Sequence, residues 1–408
     1  MQPAALDAAI LEKLISAAVA APSMHNTQPW RYRLNPDTVA LEVRAAPERG
    51  LRYTDPMGRG LSVSAGAAVF NLRVAVAHFG WEPVVRLLPH RSQPDLLATV
   101  GLGASPGDGA GTHDDPHPGS YDGPHVAPGS YDAPHDAPHV APGPHDGPHV
   151  APGPHDGPHV APGPHDGPRP GPYDGSHDGP RPGPQRGLYD GLYDAIWRRH
   201  SSRAPFSGRR LPARVLGELT EAARANGATL RLAAPGETSR LLRLTAEAER
   251  RTCGDPRRRA ESRDWVRDTG PYGIPPAALG PRDATGRLPM RDYLGQGADG
   301  RRDGHPPAAV FESRPAIAVL STAQDRRTDW LRAGQALEHV LLLATSYGVR
   351  ASLLHQALEW SDLRWSLSDA HRTPGHVQML IRLGYGPMGP ATPRGEAAGA
   401  LDGGGPAT

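Results

Sequence analysis

Two stretches of this 408-residue chain carry residue types and spacings that could do chemistry. The first is Ala20–Trp30, which crowds Ser23, His25, Asn26, Thr27 and Gln28 between Pro22 and Pro29. Pro22 ends a preceding helix, because proline lacks an N–H and pushes the residue before it out of helical angles. Pro29 keeps the segment extended, and Trp30 offers a large apolar anchor. A helix that stops at such a loop presents amides and hydroxyls to a flat polar ligand. The same composition also suits an ordinary capped loop. The second stretch is Arg198–Phe206, Arg-Arg-His-Ser-Ser-Arg-Ala-Pro-Phe. Guanidinium forks bind phosphate oxygens two at a time, and hydroxyls and backbone N–H groups fill the remaining positions. Taken alone, a basic-serine cluster is more often surface charge than an anion site.

Together the two stretches resemble a known family. Pro-Ser-x-x-Asn-x-Gln-Pro-Trp resembles the flavin-contacting loop of the nitroreductases, and Arg-His-Ser-Ser-Arg-x-x-Phe resembles their phosphate-binding start. Within that family the chain is most similar to the double-length, Acg-type FMN-binding oxidoreductases, over residues 1–103 and 188–394. The resemblance implies an α+β, nitroreductase-like fold of two pseudo-repeated halves, with sheets flanked by helices. It implies that Ser23, Asn26 and Gln28 contact the flavin ring and ribityl chain, with His25 also in the cofactor site. It implies that Arg199, Ser201 and Arg203 hold the FMN phosphate, that His200 lines the site, and that Arg394 brings a basic residue back to it.

A typical family member is a homodimer with FMN at the subunit interface. Here the first half has the polar loop without a phosphate motif, and the second half the reverse, with Arg-Ala-Asn-Gly-Ala-Thr after its helix. The chain therefore resembles a fused pseudo-dimer with one flavin site, working as a monomer. The implied function is two-electron transfer from NAD(P)H through FMN to a nitroaromatic or quinone-like acceptor. The flavin carries that chemistry and no side chain is a catalytic nucleophile. Accordingly, no Ser-His-Asp or Cys-His signature is evident. The alternative is a non-enzymatic FMN-binding protein whose flavin is shielded under a lid.

The positioning elements follow from periodicity. Leu6, Ile10, Leu14, Ala17 and Ala18 fall on one helical stripe, predicting a helix over Leu6–Ala21. Trp30–Leu34 and Val39–Val43 read as a hairpin across Asn35-Pro36-Asp37. A small-residue helix is expected over Leu61–Gly80, with Asp55 as its cap. Arg59 there suits an anion or a carboxylate, or simply a solvated turn. Strands follow at 84–88 and 96–102. In the second half, helices are expected at 188–197, 212–225 and 236–251, and strands at 228–233, 316–322, 351–354 and 377–383, while Leu358–Leu367 carries Trp360 and Trp365. The run Trp330–Tyr347 is apolar nearly all round and should be a central helix.

Residues 104–187 differ in kind. Gly, Pro, His and Asp dominate, and a ten-residue unit repeats from Pro138, Pro148 and Pro158. It is too poor in apolar residues to build a core, so a disordered linker is expected. Its histidines and aspartates allow only weak metal binding, and no metal site is assigned. Residues 253–307 are a possible lid, and 395–408 a disordered tail. The net charge of +1 indicates no nucleic-acid or membrane partner, and Cys253 is the single cysteine. No apolar run of about 18 residues stands out. A cytoplasmic protein acting on a small molecule is expected.

Overall fold

Asp7 starts the first helix, α1 (Ala8–Val19), by accepting a hydrogen bond from the Ile10 N–H at 2.8 Å. Leu14, Ile15, Ala17 and Ala18 bury its inner face. The computed structural model describes residues 6–103, 189, 191–294, 308–368 and 375–401. The repeat insert, the second part of the 253–307 segment and the end of the tail lie outside those residues.

After α1 come β1 (Trp30–Asn35), β2 (Ala40–Ala45), α2 (Arg59–His78), β3 (Glu82–Leu87) and β4 (Leu96–Gly103). The four strands form one antiparallel sheet in the order β1-β2-β4-β3. The second half begins with α3 (Leu192–Arg198) and α4 (Ala213–Arg224), then β5 (Thr229–Leu232), α5 (Pro235–Gly254) and α6 (Pro256–Asp264). It continues with β6 (Ala316–Thr322), α7 (Arg327–Ser346), β7 (Arg350–Leu354), α8 (Ser361–Leu367) and β8 (His376–Gly384), and a last turn of helix, α9 (Ala397–Ala400). Its antiparallel sheet, β5-β6-β8-β7, repeats the order of the first. Each sheet breaks register in its second strand, between Val43 and Arg44 and between Leu320 and Ser321. The α+β class with two repeated halves is as expected.

The halves meet where α2 crosses α7. A Cβ built on Gly66 would lie 2.2 Å from the Leu331 carbonyl oxygen, and one on Gly334 2.0 Å from that of Val63. Only glycine lets two helix backbones touch this closely. The contacts are reciprocal, so a pseudo-two-fold axis passes through the crossing and relates Val63 to Leu331 and Gly66 to Gly334. Val63 packs into the core of the second half, and Leu342 into the core of the first. Asp55 caps α2 as expected, accepting from Gly60 N and Leu61 N at 2.9 and 2.8 Å. By length and composition α2 could span a membrane, with mean hydropathy 1.4. However, 83% of that window is buried in the protein, so it is the core helix of the fold.

One expectation, that of the tail, is corrected. The described part of the 253–307 segment, where a lid is expected, is packed. α6 is capped by the Asp255 carboxylate, which accepts from Arg257 N and Arg258 N, and Ile274, Ala278, Leu279 and Tyr293 form a small buried cluster. The tail expected to fray after Gly395 instead forms α9. Its Ala397 and Ala400 are buried against the first-half core, and Leu401 bridges Tyr32. Alanine methyls that found no place in a stripe of their own are recruited by α1.

Candidate functional site

A cavity of about 360 Å³ lies between the halves, inside the usual range for small-ligand pockets. The first half lines it with Ser23, Met24, His25 and Asn26 of the polar loop and with Arg59, Gly60, Ser64 and Ala67 of α2. The second half supplies Arg199, His200, Ser201, Arg203, Tyr293, Leu337, His355 and Arg394. Of the nine expected residues, only Gln28 is absent from the lining.

The polar loop is strained. His25, Asn26 and Gln28 all have positive φ, at 52°, 55° and 48°. Each costs a non-glycine residue roughly 1–2 kcal/mol. Hydrogen bonds over-determine the shape. Ser23 Oγ accepts from Gln28 N at 2.9 Å. Asn26 Nδ2 donates to the carbonyls of Gly273 (2.8 Å) and Pro393 (2.9 Å), and its Oδ1 accepts from Arg394. Gln28 Nε2 donates to Pro271 O at 2.6 Å, and its Oε1 accepts from Gly395 N at 2.9 Å. This corrects the role expected of Gln28. Both ends of its amide are consumed within the protein, and the side chain is 1% exposed. It ties down the strap around 271–273 and the start of α9, and does not face the cavity. The Asn26 amide is likewise a tie, although Asn26 itself lines the wall.

The phosphate-like motif is laid across the end of the second sheet. α3 delivers Arg199 at its C-terminal boundary. Ser201 bridges Ala351 beside β7, and Ser202 N donates to Ala351 O at 2.9 Å. Gly389 must be glycine here, since a Cβ would sit 2.0 Å from Ser201 O. Phe206 anchors the far end. The Arg382 guanidinium stacks on its ring at 3.8 Å and pairs with Glu312 at 2.5 and 2.9 Å. Apart from the exposed Arg198, the basic-serine cluster is thus a loop fixed at both ends, with Arg199 buried and His200, Ser201 and Arg203 half-buried.

Arg199 and Arg394 each donate to the Ala20 carbonyl at the end of α1, at 3.3 Å. That brings guanidiniums from the rear of the chain onto the loop from its front. Burial, helped by Arg199, lowers the Arg394 guanidinium to about 9. His200 Nδ1 lies 3.0 Å from Gly389 O, to which it donates. Arg203 donates to Ala278 O at 2.6 Å and lies over the Tyr293 ring.

Residues without a motif complete the site. His355 follows β7, and its Nδ1 is 2.6 Å from a Glu359 carboxylate oxygen. Glu359 also pairs with Arg291. Burial, with Arg291 beside it, holds His355 well below the usual histidine range, so it is neutral. Its Nδ1 then carries the proton shared with Glu359. His25, also neutral through burial, packs edge-on to Tyr293 at 5.3 Å, and both its ring nitrogens are buried without partners. Arg59, noted in sequence as suited to an anion, lines the wall and donates to Gln378 O at 2.9 Å. Burial lowers it to about 10. A histidine at a strand end was the only sequence signal for His355; Tyr293 gave none. The arrangement can hold an anion among Arg199, Arg394 and Ser201, and a polar ring beside Arg203 and the polar loop.

The pseudo-symmetric counterpart of the cavity is filled. Between α4 and β5 only Ala225–Ala228 stand where the polar loop stands in the first half. Arg73 plugs the space, donating to Asn226 Oδ1 (2.8 Å), Gln335 Oε1 (2.9 Å) and the Tyr189 hydroxyl (2.7 Å).

No family model matches the chain. Along most of its length it is similar to curated proteins of Mycobacterium tuberculosis. One from strain H37Rv, provisionally named NAD(P)H nitroreductase Rv3131, is 27% identical over 96% of this chain and 90% of its own. The uncharacterised protein Rv3127 is 25% identical over 94% and 89%. A third relative, provisionally named NAD(P)H nitroreductase acg, is 35% identical over 22% of this chain and 27% of its own. Two solved structures overlap about half of the chain. They are a Bacteroides fragilis nitroreductase with bound FMN (15% identity, 50% of this chain and 91% of that one, TM-score 0.30) and a nitroreductase-like protein from Bacillus cereus (14%, 49% and 88%, TM-score 0.27). At those scores the likeness is too slight to argue from.

Proposed function

We propose, for a chain that belongs to the nitroreductase superfamily, an FMN-dependent oxidoreductase that takes hydride from NAD(P)H and reduces a small nitroaromatic or quinone-like acceptor by two electrons. The observation that carries this reading is one cavity lined by both motifs, the polar loop of the first half and Arg199, Ser201 and Arg203 of the second. Orphaned polar atoms buried beside it, the two ring nitrogens of His25, fit a polar ligand completing them. Arg199, His200, Ser201 and Arg394 would hold the phosphate. Arg203, expected from sequence beside the phosphate, lies over the Tyr293 ring instead and with Ser23 would face the ribityl chain and ring.

When bound, FMN supplies hydride transfer at N5. The protein's part is placement and charge. Arg203 would supply a cation near the ring, where donors and cations favour the negative charge of reduced flavin. His355, neutral and held in one tautomer by Glu359, lines the cavity with its Nε2 left unprotonated. We assign the chain to the cytoplasm as a monomeric pseudo-dimer, with 1–103 and 188–394 as its halves around a linker insert.

One observation favours a second reading, in which FMN is bound but shielded. The strap from 271 to 294 is tied to Asn26, Gln28 and Arg203, the motif residues themselves. Anaerobic mixing of the purified protein with NADH or NADPH decides between them. Bleaching of the oxidised flavin absorbance within seconds supports the reductase; an unchanged yellow spectrum supports the shielded binder. Colourless protein that takes up no FMN removes both.

A further inference from the structure

We infer that Glu338 is a built-in stand-in for the cofactor phosphate, holding the Arg199 and Arg394 guanidiniums in place and taking up a proton when FMN binds. The inference rests on the FMN reading above. Glu338 lies on α7 and is completely buried. Its Oε1 is 3.3 Å from Arg199 Nε, an ion pair whose partners are 0% and 5% exposed. Neither of its oxygens accepts a well-aligned hydrogen bond. A carboxylate buried this completely beside a single ion-pair contact is costly and needs a cause.

The charged groups facing it supply one. Arg199 approaches from the end of α3 and Arg394 from the segment before α9. From α2 comes the neutral Asn71, which donates to Ala17 O at 3.0 Å and also turns its amide to the Glu338 carboxylate, adding its polarity to the two cations that oppose burial there. The next residue on the helix, His339, turns away to Asn226 and stacks on Phe70. Two cations and one anion therefore share a buried space beside the cavity. Burial pushes the Glu338 carboxyl up to about 7, with Arg199 and Arg394 opposing it.

A dianionic phosphate arriving at the two guanidiniums turns this cluster from net positive to net negative. In a low dielectric the excess charge is relieved by protonating Glu338, the buried acid closest to neutrality. The phosphate itself has a second pKa of about 6, and a cationic site strips protons from it. The two effects have opposite signs, and above about pH 7.5 the phosphate no longer contributes.

The test is calorimetric titration of FMN into the flavin-free full-length protein at about pH 8, in buffers of different ionisation enthalpy. Net uptake approaching one proton per FMN is expected. The dissociation constant should then rise by up to about tenfold per pH unit above pH 7. In Glu338→Gln the uptake should vanish and the pH profile flatten, with binding at about pH 8 no weaker than wild type. A residue that merely supported the fold would weaken binding at every pH. FMN binding by the wild type without proton uptake overturns the proposal, and that measurement stands even if the variant misfolds. No FMN binding at all would instead overturn the reading beneath it.

Discussion

Arg203→Ala separates holding a flavin from holding the strap. Arg203 spends one guanidinium nitrogen on Ala278 O at 2.6 Å, and its charge lies 5.7 Å from the Tyr293 ring centroid. Losing a charge-assisted hydrogen bond costs about 1.5–3 kcal/mol. If Arg203 also meets the flavin, the same range applies to FMN, a rise of roughly 10- to 150-fold in dissociation constant. The strap independently loses the Ala278 contact and a cation–π contact of about 0.5–2 kcal/mol. Fluorescence-quenching titration with FMN reads the first effect, and amide hydrogen exchange over 272–280 reads the second. Arg203→Lys keeps a charge but loses the fork, so it should fall between Ala and wild type in FMN affinity. Faster exchange in the strap with unchanged FMN affinity would make Arg203 a tie and remove it from the flavin site. Unchanged values of both would refute the geometry.

Gln28→Ala should destabilise the protein by about 2–3 kcal/mol, because it strands the Pro271 carbonyl and the Gly395 N–H, while FMN affinity changes far less than in Arg203→Ala. Denaturant midpoints and flavin titration check this; a large loss of FMN affinity at full stability would return Gln28 to the cavity. Gly334→Ala places a methyl 2.0 Å from Val63 O and 2.8 Å from Gly66 Cα, both backbone. The overpacking, about 1–3 kcal/mol, should exceed the roughly 1 kcal/mol that alanine gains as a helix former, so urea unfolding should come earlier. Burial lowers His339 to about 4, and it lowers His25 and His355 in the same direction. Their stabilisation is complete above the unfolded pKa of about 6.5 and is lost as pH falls through it toward 4. Thermal unfolding at pH 7 and pH 5 should show that drop, reduced in His339→Gln; a flat profile in the wild type would contradict the neutral, buried assignment.

What was legible in the sequence was local. The Pro22–Trp30 loop and the Arg199–Phe206 cluster announce themselves by residue type within a few positions. Helices such as α1 and α7 announce themselves by an apolar stripe or by apolarity all round. What was not legible depends on partners far along the chain. Nothing near Gln28 says that its amide is spent on Pro271 and Gly395, and nothing near Tyr293 says that it meets His25 and Arg203. α6 has no apolar stripe; it is held by the Asp255 cap and by Arg258 over the Trp360 ring at 4.0 Å. α9 is four small residues whose burial exists only against α1 and β1 of the other half.

The pseudo-two-fold axis explains why two similar halves give one site. The crossing that relates Val63 to Leu331 and Gly66 to Gly334 also relates Ala67 to Gln335 and Phe70 to Glu338. The backbone keeps the symmetry, and these side chains break it. Ala67 leaves room and lines the cavity, whereas Gln335 accepts from Arg73 and helps fill the opposite space. Glu338 faces Arg199, whereas Phe70 stacks on His339. Each broken pair replaces a group suited to a cavity or its charges with one suited to a closed core. The polar loop is shortened to Ala225–Ala228 on the closed side as well. Reopening the second space therefore needs more than one substitution: Arg73→Ala alone removes the plug but leaves Asn226, Gln335 and Tyr189 buried without their donor. That variant should lose stability while binding no more FMN per chain than the wild type, and a doubled flavin stoichiometry would show that the side chains had not closed the site.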